Sequence, residues 1–136
     1  MTESEQHSML VRALVRWIAE TYLDGDNRLI LVDEASFAAG TKPLAVGGFV
    51  PDAYAHRLSD GLIVIGEAET ARGITVPHTA QQLGAFLTHC SQRDRAVLVL
   101  AVPWYMTRFT KAFLRMLKNQ CSARYATTVV LEELEG

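Results

Sequence analysis

Between Gly61 and Thr70 the chain reads Gly-Leu-Ile-Val-Ile-Gly-Glu-Ala-Glu-Thr, an apolar run that ends in two carboxylates. A third acid, Asp52, follows Pro51 on the segment before it. A short continuous apolar run bounded by turn residues predicts a strand buried on both faces. Such a strand cannot end in acids without compensation, because an unpaired charge in an apolar setting is costly or takes up a proton. The usual compensation is a cationic side chain or a metal ion. This run therefore marks both the middle of the fold and the place to look for chemistry.

The flanking segments set what surrounds it. Leu10, Leu14, Trp17 and Ile18 recur at helical spacing, which predicts a helix over Ser8–Tyr22, stopped by Asp24-Gly25-Asp26-Asn27. Leu29–Val32 and Phe49–Arg57 are predicted strands, separated by a loop or bent hairpin over Ala38–Gly48. Ser59-Asp60-Gly61 is a tight turn, so Phe49–Arg57 and Leu62–Glu69 should pair antiparallel. A loop over Thr70–Val76 leads to a helix over Pro77–Cys90, with Leu83, Phe86 and Leu87 as its apolar stripe. Ala96–Val102 is apolar on both faces and predicts a central strand, ended by Pro103. A helix over Thr107–Asn119 and a strand over Thr127–Leu131 follow. The order αβββαβαβ predicts a single α/β domain over residues 1–136, with a mixed central sheet flanked by helices.

Composition narrows the class. Hydrophobic residues make up 49% of the 136, which suits a sizeable core and excludes a disordered chain. The longest apolar run, Ala96–Tyr105, is about half of the ~20 residues a membrane helix needs. The polar N-terminus lacks the basic and apolar regions of a secretory signal, so a cytoplasmic protein is expected. Cys90 and Cys121 belong to no metal-binding motif and are expected to be reduced structural thiols. The net charge is -2, but its distribution is uneven. Ala96–Leu131 carries Arg108, Lys111, Arg115, Lys118 and Arg124 and neither Asp nor Glu.

Glu67 and Glu69 are two residues apart, so on a strand they face one side, and a paired strand brings Asp52 towards them. Three converging carboxylates repel one another unless a divalent cation lies among them, and hard oxygen donors favour Mg²⁺, Mn²⁺ or Ca²⁺. A Mg²⁺ held by one or two carboxylates keeps several waters, which suits phosphate substrates. The plain alternative is three solvated acids at strand ends and turns.

Pro51-Asp52, a spacer of fourteen residues, and Glu67-Ala68-Glu69 ending an apolar strand together resemble the PD-(D/E)xK, or restriction-endonuclease-like, nuclease superfamily. The αβββαβ order is similar to its core. Gln82-Leu-Gly-Ala-Phe86 on the next helix is similar to the Q-x-x-x-Y motif of its exonuclease and RecB-like branches. The resemblance covers roughly Met9 to Leu131. It implies Asp52 and Glu67 as ligands of Mg²⁺ or Mn²⁺, the Ala68 carbonyl as a third ligand, and Gln82 as support from the helix. Glu5 or Glu20 would supply the acid that some members place on the first helix. The departure is Glu69, where the pattern expects Lys. Either Glu69 acts as general base or second-metal ligand, or Lys42 or Arg72 replaces the lysine, or the site is inactive.

Arg108, Lys111, Arg115 and Lys118 are spaced to line one helical face, either an ordinary solvated face or a track for DNA phosphates. His56 stands four residues after Asp52 and is expected, like the other histidines, on the surface or satisfied in the core. Trp104-Tyr105 is expected to cap the core rather than stack on bases. The resulting expectation is a Mg²⁺-dependent DNA nuclease with Asp52, Glu67, Glu69 and Gln82 in its site, working as a homodimer or with a partner subunit. The rival is a catalytically degenerate module of the same fold that binds nucleic acid or a protein. A small-molecule acid/base enzyme would instead need a closed pocket at Glu67.

Overall fold

The computed structural model describes residues 1–35, 37 and 42–131. Helix α1 (Glu3–Tyr22) is followed by β1 (Ile30–Val32), β2 (Ala53–Arg57), β3 (Leu62–Ala68), α2 (Pro77–Ser91), β4 (Ala96–Ala101), α3 (Thr107–Gln120) and β5 (Thr127–Leu131). The strands form one mixed sheet in the order β1-β2-β3-β4-β5. β1, β2 and β3 are antiparallel neighbours, whereas β3, β4 and β5 run parallel through the crossover helices α2 and α3. The α/β class, the mixed sheet and the flanking helices are as the sequence predicts.

Two boundaries differ in ways that matter. α1 begins at Glu3, not Ser8, because Thr2 and Glu5 form a capping box. The Glu5 N–H donates to the Thr2 hydroxyl and the Thr2 N–H to the Glu5 carboxylate, both at 3.1 Å. This adds more than a turn of helix and carries His7 with it. β2 begins at Ala53, not Phe49. Phe49 instead closes a turn on Val46 through Gly47 and Gly48, whose φ values of +60° and +90° suit glycine. A Cβ on Gly47 would also come within 2.9 Å of the Ala85 Cβ on α2. The first part of the predicted Ala38–Gly48 segment lies outside the described residues.

The sheet has a core on each face. α1 places Leu10, Val11, Leu14, Val15 and Ile18 against Val64, Ala68, Val97 and Val99. On the other face, α2 and α3 place Leu83, Phe86, Leu87, Leu114 and Leu117 against Ile63, Ile65, Leu98 and Leu100. The alternation along β3 and β4 follows the strand period. Gly66 sits where α1 comes closest: a Cβ there would meet Ile18 Cδ1 at 2.9 Å and Leu14 Cδ2 at 3.0 Å. Both cysteines are free, and burial pushes the Cys90 thiol up to about 12, as suits a structural role. Among the described residues, no helix is long and apolar enough to cross a membrane.

Candidate active site

The start of β2 and the end of β3 bring the predicted acids together. Ala53 lies opposite Gly66, so the antiparallel register sets Asp52 opposite Glu67. The Asp52 N–H donates to Glu67 Oε1 at 3.0 Å, and the Ala68 N–H donates to Asp52 Oδ2 at 2.8 Å. Each acid thereby holds the backbone of the other's segment. Asp52 is 9% exposed and Glu67 only 3%. β3 stops at Ala68, but the Glu69 N–H still donates to the Ala101 carbonyl at 3.0 Å, which pins Glu69 to the end of β4.

Electrostatics follow from this crowding. Burial, then the charges of Asp52 and Glu69, push Glu67 well above the usual carboxylate range, while the bond from the Asp52 N–H opposes the shift. Glu69 is raised by burial as well, and its hydrogen bond with Glu67 opposes that rise. A proton on Glu67 donated to Glu69 accounts for both directions. Glu69 Oε2 also packs on Gly73, where a Cβ would approach it to 2.7 Å.

His7 is the site residue that the sequence analysis missed. Its Nε2 lies 3.3 Å from Asp52 Oδ2. Its pKa is raised chiefly by that bond, with the charges of Asp52, Glu69 and Glu34 adding and burial opposing. The early start of α1 puts it there, and the Thr2-x-x-Glu5 pattern was the signal. Glu5 is used in the cap, and Glu20 is exposed some 25 Å along the helix from Glu3. Glu3 is the α1 acid beside this region: its Oε1 accepts from the Thr70 hydroxyl at 3.0 Å, and that hydroxyl accepts from the Gly73 N–H. Glu3, Ser4, His7, Glu69, Thr70 and Gly73 line an open recess of about 510 Å³.

Other predicted residues stand further off. Gln82 is half-buried beside the apolar stripe of α2, and its amide makes no hydrogen bond with Asp52, Glu67 or Glu69. Lys42 lies 3.7 Å from Asp33, and Arg72, on the rim, reaches Glu3 at 4.0 Å. His56 is exposed at the opposite end of β2, about 13 Å along the strand from Asp52. Arg108, Lys111 and Arg115 are exposed on α3, whereas Lys118 is half-buried and lines a separate recess with Asn119, Ser122, Arg124 and Tyr125. α3 starts at the sheet end that carries the acids and runs away from it, so only Arg108 is near that end. Trp104 and Tyr105 do not cap the core; they are 64% and 56% exposed.

A hard divalent cation suits this donor set by its chemistry: two facing carboxylates, a neighbouring carbonyl and a third acid, Glu69, beside them. Among the described residues, no group of three or more His, Cys, Asp or Glu side chains is arranged to hold an ion. Mg²⁺ does not need one, since one or two carboxylates and several waters are its usual protein-bound shell. No family model matches the chain, and no curated protein or solved structure is similar enough to show a relationship. Fold and site together define an α/β protein with an acidic, open site at the end of a mixed sheet.

Proposed function

We propose that this chain is a metal-dependent nuclease that hydrolyses DNA phosphodiester bonds on a restriction-endonuclease-like core. The observation that carries the proposal is the reciprocal bonding of Asp52 and Glu67, which joins two acids from adjacent antiparallel strands beside the Ala68 carbonyl. The antiparallel β1-β2-β3 unit followed by the parallel β4 supports the same core. Asp52, Glu67 and the Ala68 carbonyl are the groups that would hold Mg²⁺ or Mn²⁺. When bound, the ion would supply a Lewis acid for the phosphate and lower the pKa of a water. Glu69, at the wall of the recess, orients the attacking water or takes its proton. His7 fixes the Asp52 carboxylate and presents the basic group that Glu69 lacks. Gln82 carries no part of the proposal.

Cleavage of supercoiled, linear and branched DNA with Mg²⁺ or Mn²⁺ is the test. Activity should be lost in Asp52→Ala and Glu67→Ala, and kcat should fall about 10²–10⁴-fold in Glu69→Gln. Metal-dependent activity indifferent to both alanine substitutions would sink the site.

The second reading is a module of the same fold that binds DNA or a protein without turnover. Glu69 in the lysine position and the hydrogen-bonded Glu67–Glu69 pair favour it. Titration calorimetry separates the two: no Mn²⁺ binding, with or without DNA, leaves the binding module. In either case a chain of this size is proposed to act as a homodimer or with a partner subunit, which sedimentation velocity measures.

A further inference from the structure

We infer that Trp104, Tyr105 and Arg108 form a stacking platform for unpaired nucleotides at the acid end of the sheet, so that the substrate strand is single-stranded or frayed DNA. The substrate assignment rests on the nuclease reading; the binding surface does not.

Trp104 and Tyr105 lie in a short 3₁₀ turn, Trp104–Met106, between β4 and α3. Pro103 is buried and ends the strand, and the turn then throws both rings outward. Their centroids are 5.8 Å apart at 89°, an edge-to-face pair that presents a rigid apolar surface to solvent. Both rings are more than half exposed, so among the described residues they add little to either core. The apolar surface extends onto α3 through Phe109, 45% exposed and edge-to-face with Phe113. Three residues before Trp104, the Ala101 carbonyl receives the Glu69 N–H, so the platform leaves the sheet beside the candidate site.

Charge selects the occupant. Arg108, exposed in the first turn of α3, is the basic residue near this end, and no Asp or Glu stands between Ala96 and Leu131. Aromatic faces beside cations match the stacked bases and phosphates of a single strand, which needs no base-specific hydrogen bonds. A second copy of the chain is the poorer occupant. A two-fold contact through this surface would set the same basic helix against itself.

Binding of fluorescein-labelled oligo(dT) and of a blunt duplex is measured by anisotropy in EDTA, so cleavage does not enter. Trp104→Ala and Tyr105→Ala should each weaken single-strand binding about 5- to 150-fold. Trp104→Phe should keep most of it, and duplex binding should change much less. Circular dichroism checks that the variants fold. Wild-type oligo(dT) affinity in both alanine variants overturns the platform, as does an equal loss for duplex and single strand. Dimer dissociation in Trp104→Ala without loss of oligo(dT) binding assigns the surface to a second copy and also overturns it. If the variants behave as expected but no DNA is cut with Mg²⁺ or Mn²⁺, the nuclease reading falls and the platform stands.

Discussion

Glu67 shows what a single side chain costs and offers here. Its carboxyl group is almost fully covered, between Asp52 and Glu69, and burial favours its protonated form. An unfolded Glu loses its proton near 4.5, whereas the folded one keeps it to higher pH. Between those two points the folded chain binds more protons, so its stability falls as pH rises. His7 acts in the same direction, since its folded pKa is raised above 6.5 and its bond to Asp52 is lost as pH passes the folded value. In EDTA the Tm should therefore fall as pH rises above 4.5, and further above 6.5. Glu67→Gln should flatten that profile and raise the Tm at the alkaline end, by about 3–5 °C for each kcal/mol recovered. A Tm profile shared by wild type and variant would mean that Glu67 ionises in the fold without penalty. The same variant should lose metal binding, because an amide is a poor hard-cation ligand. Stability gained with function lost is the usual mark of a strained site.

At the scale of elements, the first turn of α1 matters beyond its length. Thr2→Ala removes the capping box and should cost about 1 kcal/mol by urea denaturation. Its effect on cleavage should exceed that of a comparable surface change, because Glu3 and His7 hang on the turn it anchors. Gly66 is the matching constraint in β3. Gly66→Ala pushes a methyl group into Ile18 and Leu14 and should destabilise by about 1–3 kcal/mol. Gly73→Ala differs from both: its methyl would meet the carboxylate end of Glu69 at 2.7 Å and the Thr70 hydroxyl at 3.2 Å, side-chain atoms of the site rather than core packing. Unfolding should barely change there while kcat falls, and a normal kcat would show that the position of Glu69 is unimportant.

For the whole molecule, the layout separates charges that would otherwise cancel. α1 brings Glu3 and His7 to the acids at the end of the sheet, and α3, packed on the face opposite α1, carries the basic stripe away from that end. A nucleic acid strand bound along α3 would release counterions in proportion to the phosphates it meets. Replacing Arg108, Lys111 and Arg115 together by Gln should lower the log–log salt slope for oligo(dT) binding by about 2. An unchanged slope would show that the stripe is a solvated face and no more.

Much of this was legible in the sequence because it rests on local periodicity. The apolar run ending at Glu67 could only be a buried strand, and the αβββαβαβ order and the partnership of Asp52 with Glu67 followed from it. The helices were legible in their middles, where the apolar stripes recur, and less so at their ends, where capping by Thr2 and Glu5 decides. His7 and Glu3 stand far from the acids in the chain, so only the packing of α1 across the sheet brings them to the site. Gln82 and Trp104 show the reverse. A motif spacing gave Gln82 its expected role and a place after the central strand gave Trp104 its own, but α2 leaves Gln82 half-buried beside its apolar stripe and the Trp104–Met106 turn leaves Trp104 exposed. Sequence by itself determined which residues are apolar, and therefore the strands and their faces. The tertiary structure alone decided which polar groups share the sheet end, because that depends on long-range register and helix placement that no local pattern encodes.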